Sequence, residues 1–289
     1  MNNDLNAFVP NVHFEQIAIK NLVSNQDYQR NLSLQHIQKL IDNFDLYQIN
    51  PVKVSRRNGE NVVMNGQHTI ESIASASGSR DTPVWCMIYD DLEYEKEADI
   101  FANQQKYVKQ LNQYEIFMAK IEAGDDTQII IKSLVESYGL VLAPSRIAGG
   151  IGAINCLERL FDKYGYHHLE RVIRLCVTTW EGDPLSLAAN MINGVSRLVA
   201  SFGDRLKDDA FRDRVGIYSA RDISRTAREI RSGSLGFAEA LLMAYNRKSK
   251  AGLPWDMIYG RKSDGNGSDG GEREHSAIPP IDMEKCGHF

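Results

Sequence analysis

At 289 residues, with 33 Lys and Arg against 38 Asp and Glu, the chain is long enough for two modest domains and carries a formal net charge of −5. That balance excludes wholesale electrostatic coating of nucleic acid, though not a local basic face. No apolar run approaches a membrane span, the N-terminus lacks a signal-peptide core, and Cys86, Cys156, Cys176 and Cys286 show no C-x-x-C spacing, so buried thiols in a reducing cytoplasm are expected.

Beyond an N-terminal arm over residues 1–12, the first helical signal is Leu34, Ile37, Leu40, Ile41 and Phe44 at helical spacing, with Ser33 as N-cap. Pro51-Val52-Lys53-Val54-Ser55 alternates like a half-buried strand, and Asn61-Val62-Val63-Met64 pairs back onto it across Asn58-Gly59, a strong hairpin signal. The same apolar run then meets Asn65-Gly66-Gln67-His68-Thr69, a tight turn followed by a helix that opens on small and polar residues. The backbone amides of residues 66–69 thereby sit at a helix start, where the dipole favours an anion. The plain alternative is an ordinary strand-to-helix connection. Residues 83–89 read as a further strand, and a helix from Glu93 to Phe101 ends near Asn103-Gln104-Gln105-Lys106.

From about residue 110 the period is helical. Asn112-Gln113-Tyr114-Glu115 has capping-box spacing, and the stripe of Ile129, Ile130, Leu134 and Val135 stops at Gly139. Further helices are expected over 146–164, 166–180, 185–202, 220–231 and 235–247. Lys132 to Leu160 has helix-turn-helix proportions, but residues 148–154 offer almost no side chains for reading base edges, which favours packing. Arg221, Arg225 and Arg228 fall on one helix face, with Arg231 close by, suiting phosphate contacts; with Asp222 and Glu229 nearby, a solvated, salt-bridged face is the alternative. Residues 261–289 form a tail expected to be disordered, rich in Gly, Ser and Asp over 263–274 and carrying Ile278-Pro279-Pro280-Ile281-Asp282-Met283, a candidate docking peptide, near its end. His275, Cys286 and His288 match no metal-site spacing.

Residues 13 to about 120 resemble the ParB/sulfiredoxin-like superfamily. Asp27-Tyr28-Gln29-Arg30 is similar to its early "YQR" or "QPR" segment, and Asn65-Gly66-Gln67-His68-Thr69 to the "DGQHR" variant of the ParB "GERRxR" box. Asn103-Gln104-Gln105-Lys106 is similar to the "ENxQR" box, and Leu111-Asn112-Gln113-Tyr114-Glu115 stands where the family has "L-(S/T)-x-x-E". The resemblance implies an α+β, ParB/sulfiredoxin-like nucleotide-binding domain over 13–111 followed by an all-α domain over 112–260. It also implies a nucleotide or phosphate site made of Arg30, Gly66, Gln67, His68, Thr69, Asn103, Gln105 and Lys106. A nucleoside triphosphate, its base left open, and Mg²⁺ are the candidate cofactors.

Branches of the family act as CTPase clamps, ATP-dependent reductases, free-serine kinases or nucleases, so fold does not select the chemistry. Gln67 stands where the sulfiredoxin branch needs Cys, which argues against a reductase. Thr69 replaces the Arg after the His, Gln67 and Ala102 replace two ParB glutamates, and Asn65 replaces the aspartate of DGQHR. Mg²⁺ wants carboxylate oxygens beside the phosphates, and only Asp27 and Glu71 remain as candidates, so binding or slow turnover is favoured. His68 can donate to a phosphate whose charge raises its pKa; Arg30 can reach the same anion; Lys106 keeps the charge of the family Arg but loses its planar fork. Three classes of function stay open. They are a nucleotide-gated DNA-binding protein of a plasmid, phage or integrated element, an ATPase, kinase or nuclease using the same pocket, and a protein-interaction factor in host conflict. A protein partner or homodimer is a further candidate.

Overall fold

The computed structural model describes residues 10–24, 32–106, 108–247, 249 and 251–259. Asp27, Arg30, the terminal tail with its docking peptide, and His275, Cys286 and His288 lie outside them. The chain divides into two compact units, Met1–Gln110 and Leu111–Phe289: an α+β unit followed by a helical one.

The first unit is built on a five-stranded mixed sheet of order β1-β5-β3-β4-β2, from β1 (His13–Ala18), β2 (Leu22–Ser24), β3 (Val52–Arg57), β4 (Glu60–Asn65) and β5 (Pro83–Asp90). The β3–β4 hairpin turns at Asn58 and Gly59, both at positive φ (51° and 79°), as the Asn-Gly pair predicts. The register shifts between Lys53, opposite Asn65, and Val54, opposite Val63, which puts one extra residue, Met64, on β4. Such a bulge bends the strand end, and here it re-aims the chain into the turn at Gly66. Val52, Val54, Val63, Ile70, Val84, Cys86 and Ile88 form the core of this unit. Among the described residues, three α-helices accompany the sheet: α1 (Leu34–Asp42), α2 (Gln67–Ser77) and α3 (Tyr94–Lys106).

Ser33 caps α1 as expected, its Oγ accepting from the His36 amide at 3.3 Å. The apolar stripe expected there holds only in part: Ile37 is buried, but Leu34 is 81 % exposed. The helix stops at Asp42, where Asn43 donates its side-chain amide to the Lys39 carbonyl at 2.9 Å, so Phe44 falls beyond its end.

At the other edge of the sheet, Arg56 makes a bidentate pair with Glu15, at 2.9 and 2.6 Å, between β3 and β1. The guanidinium hydrogen bonds pull the Glu15 carboxyl from its usual value near 4.5 to about 2. A carboxyl whose folded pKa is depressed contributes stability above its unfolded pKa and loses it as pH falls through the folded value. Acid titration from about pH 4.5 to about 2 is therefore expected to destabilise the protein more than the Glu15→Gln variant. Equal acid sensitivity of the two proteins, measured by urea unfolding, would contradict this.

The second unit contains eight helices among its described residues: α4 (Gln113–Glu122), α5 (Asp126–Ser137), α6 (Ile154–Tyr164), α7 (Tyr166–Trp180), α8 (Ala189–Phe202), α9 (Asp208–Val215), α10 (Ala220–Ile230) and α11 (Gly233–Asn246). The capping box is present, with Asn112 Oδ1 accepting from the Glu115 amide at 2.9 Å and Glu115 Oε2 from the Asn112 amide at 2.7 Å. Met191, Val195, Leu198, Phe237 and Leu241 belong to its one large core.

Two expectations need correction here. The helix expected over 146–164 begins only at Ile154, because Gly149 sits at φ 66° and Gly150-Ile151 instead pairs as a short strand, β7, with Val141-Leu142, β6. A strand pair thus stands where a helix-turn-helix would have its second helix. The helix α9 was not anticipated; Arg171 and Arg174 of α7 grip Asp208 at its start, at 2.8 and 2.7 Å, and Phe211 and Val215 are buried. No helix among the described residues is long and apolar enough to cross a membrane.

Candidate functional site

The strand-to-helix turn expected at residues 65–69 is present. Gly66 is the N-cap of α2 at φ 112°, ψ 11°, and contributes no side-chain cap. Its carbonyl accepts from the Ile70 amide at 3.0 Å, which closes the first turn. The amides of Gln67, His68 and Thr69 belong to that turn, where no preceding helical carbonyl stands in line to accept them. A Cβ on Gly66 would lie 3.2 Å from both methyl carbons of Val52, so the turn sits hard against β3.

Above this turn lies a cavity of about 640 Å³, within the range of small-ligand sites. Its floor is Gly66, Gln67, His68 and Thr69; its walls come from α1 and the turn that follows it, with Phe101 of α3 completing it. Phe44 and Ile49 supply apolar surface, and Asn43, Asp45 and Gln48 supply polar groups. Gln67 is 7 % exposed, and its Nε2 has no hydrogen-bond partner among the described residues. A buried amide left unpaired costs on the order of 1–3 kcal/mol. It is the strongest sign that this floor is shaped for a group that the described residues do not provide.

His68 is half-buried. Its Nε2 accepts from the Ser33 amide at 3.2 Å, and its ring meets that of His36 edge to face, with centroids 5.1 Å apart. His36 and the polar wall at Asn43 and Asp45 are what sequence reasoning missed; the only hint was that His36 shares α1 with the Ser33 cap.

The other expected site residues are placed as follows. Asn103 donates to Asp99 one turn back on α3, at 2.6 Å, and Lys106 is exposed at the end of the same helix. Neither is among the cavity's lining residues. The side chain of Gln105 and all of Arg30 are outside the described residues. Glu71, expected as a candidate carboxylate, is committed to Arg80 at 2.9 Å. Asp45 is then the one carboxylate among the described lining residues, and it already accepts from the Tyr47 amide at 2.9 Å and from Gln48 at 3.1 Å. The described lining, with one already bonded carboxylate, is too poor in carboxylates to hold Mg²⁺ by itself, and among the described residues no cluster of three or more His, Cys, Asp or Glu is arranged for a metal.

In the helical unit, Arg221, Arg225 and Arg228 are all exposed on α10. Arg225 pairs with Asp222 at 3.0 Å, while Arg221 and Arg228 form no salt bridge among the described residues. Buried Cys156 is held as a thiol, its pKa pushed up by burial to about 11, so it offers no nucleophile.

A family model described as "Family of unknown function (DUF6551)" matches residues 23–256. No curated protein matches the chain. Among solved structures, the C-terminally truncated chromosome-partitioning protein ParB from Caulobacter crescentus complexed with CTP-gamma-S matches with 14 % identity and a TM-score of 0.34, over 79 % of this chain and 98 % of that one. The same protein complexed to the centromeric parS site matches with 16 % identity and a TM-score of 0.26, over 74 % and 99 %. Superpositions at these scores align too little of a fold to inform the site, whose reading rests on its own geometry. The span of the family model covers most of the chain, which therefore belongs to the DUF6551 family.

Proposed function

We propose that this DUF6551 member binds a nucleotide by its phosphates at the start of α2, on a ParB-like scaffold, and turns it over slowly or not at all. The observation that carries this reading is the buried amide of Gln67, unpartnered among the described residues, on the floor of the cavity beside a helix start created by Gly66. The order of the sequence boxes supports it, as does a cavity lined by apolar Phe44 and Ile49, which suit a base, and by the amides at the start of α2, which suit an anion. Hydrolysis lacks support because the described lining offers a single, already bonded carboxylate. Phosphoryl transfer relies on positioned metal and charge.

The test is calorimetry and thermal unfolding with ATP, CTP, GTP and UTP, each with and without Mg²⁺. One of them is expected to raise the melting temperature by at least about 5 °C at a hundredfold excess over its Kd, with phosphate release at background. Gln67→Leu should weaken binding roughly tenfold, through loss of one hydrogen bond to a charged group. It should leave the unliganded protein as stable or more so, because a buried orphan is removed. An equal loss of stability and affinity would make Gln67 a structural residue and take away the main support.

A second reading concerns DNA, and it rests on the exposed Arg221, Arg225 and Arg228 face. Non-specific, salt-sensitive binding is expected. Replacing all three by Ala should flatten the log–log salt dependence by roughly two to three units, about 0.9 for each phosphate that is no longer neutralised. Unchanged binding in the triple variant would make the stripe a solvated face. If the parent bound no DNA at low salt, the role of an interaction factor would lead.

A further inference from the structure

A second cavity, of about 360 Å³, lies within the helical unit, in the size range of small-ligand sites. It is lined by Lys120 of α4, by Asp125, Thr127 and Gln128 at the start of α5, and by Glu158 and Asp162 of α6. Three carboxylates thus stand against one lysine. Gln128 is 3 % exposed. Its Nε2 donates to Glu158 Oε1 at 2.6 Å, and its Oε1 has no hydrogen-bond partner among the described residues. Turning the amide over would set two acceptors against each other at that distance, so the unpaired atom is the carbonyl oxygen. The amide that carries it meets Glu158 at the lining of the cavity. A buried acceptor left unpaired costs on the order of 1–3 kcal/mol, and a hydrogen-bond donor removes that cost. A second acceptor is unused. Asp162, in the last turn of α6, forms no ion pair or side-chain hydrogen bond among the described residues. Glu158 serves both Gln128 and Lys120, the latter at 3.7 Å, and Asp125 accepts from the Thr127 amide at 3.1 Å.

We propose that this cavity binds a guanidinium group, which donates to Gln128 Oε1 and to the Asp162 carboxylate. Glu158 and Asp162 are one turn apart on α6, so their side chains are neighbours, and Gln128 reaches the first of them. Among the described residues, the three carboxylates are not gathered around one point as a metal ion needs. A planar cation with five N–H donors serves acceptors that stand apart, and it gives up its water more readily than an ammonium does. The start of α5 by itself favours an anion, but Asp125 already supplies one there, as the side-chain cap of that helix. Asp162 lies toward the C-terminal end of α6, where the dipole favours a cation. The unpaired carbonyl decides between the two signs of ligand: an anion would leave it without a donor.

The test uses the full chain at low ionic strength, with calorimetry and the NMR resonances of the Gln128 side-chain amide as readouts. Agmatine stands for a free guanidinium compound and N-acetyl-arginine amide for an arginine side chain of a partner protein. N-acetyl-lysine amide carries the same charge without the fork, and Mg²⁺ carries charge alone. Both guanidinium probes are expected to move the Gln128 resonances. Tighter binding of agmatine would assign the site to a free ligand, and tighter binding of the arginine amide to a partner's side chain; each supports the proposal. Gln128→Leu, which changes no charge, and Asp162→Asn should each weaken binding roughly tenfold, the worth of one hydrogen bond to a charged group. Asp126→Asn is the control. It removes the same charge from an exposed neighbour outside the lining, and should weaken binding by no more than about twofold. If Gln128→Leu does not fold, Asp162→Asn, altered at an exposed position, decides by itself. Equal binding of the lysine amide or of Mg²⁺, or equal losses in Asp126→Asn and Asp162→Asn, would reduce the cavity to a diffuse negative field and overturn the proposal. Gln128 resonances that stay fixed with both guanidinium probes would overturn it as well.

Discussion

Replacing Gly66 by Ala is expected to destabilise the first unit by about 2–4 kcal/mol and to remove nucleotide binding. Two separate causes add. The backbone is at φ 112°, a conformation that L side chains rarely adopt. A Cβ there would also stand 3.2 Å from Val52 Cγ1 and Cγ2 and 3.3 Å from its Cα. Val52 is 1 % exposed within β3, so it cannot yield without moving the strand. Relief comes from rotating the turn, which misdirects the amides of residues 67–69. Gly78, at the other end of α2, is the control: it also has positive φ, at 70°, but open space around it, and Gly78→Asn should cost no more than about 1 kcal/mol. Urea unfolding measures both. A loss below about 0.5 kcal/mol for Gly66→Ala would mean that the turn is soft and its amides are not held in place.

A second large effect is expected at Arg57, on β3. Its Nε donates to Glu97 Oε1 at 2.7 Å; the Glu97 side chain, on α3, is fully buried, and its Oε2 has no hydrogen-bond partner among the described residues. The Arg57 guanidinium also lies over the Tyr94 ring at 5.7 Å. Arg57→Met leaves a buried carboxylate without its counter-charge, a change that costs roughly 3–5 kcal/mol in comparable pairs. Glu97→Met should cost less, because the Arg57 side chain is 31 % exposed and can turn its charge to water. The double Arg57→Met/Glu97→Met variant should recover most of the loss. If the two single variants were equally damaging and the double variant no better, the pair would act through packing and not through charge. Since α3 also carries Phe101 of the cavity wall, Arg57→Met should loosen nucleotide binding along with the fold.

What was legible in the sequence was what is decided locally. Asn58-Gly59 fixes its hairpin because both residues accept positive φ, Ser33 and Asn112 cap their helices with their own side chains, and the Gly66 turn follows from one residue without a Cβ. The edge strands β1 and β2 left no such mark: in His13–Ala18 only Ile17 is buried, so the alternation is faint. Sheet order is likewise a matter of non-local pairing. In the second unit, the glycines at 149, 150 and 152 broke a helix that the apolar spacing alone continues. The floor of the cavity was legible as a strand–glycine–helix step. Its walls were not, because His36, Phe44 and Asp45 reach the floor only through the packing of α1 on α2. Asn103 and Lys106 were proposed from a sequence box, and the geometry of α3 leaves them off the lining.

The most direct measurement is a crystal structure of the chain grown with the nucleotide that stabilises it most. Phosphate oxygens are expected within hydrogen-bond distance of the amides of residues 67–69 and of Gln67 Nε2, with the base against Phe44 and Ile49. A nucleotide bound at another place, with the Gln67 amide paired to protein and the cavity closed over by α1, would contradict it.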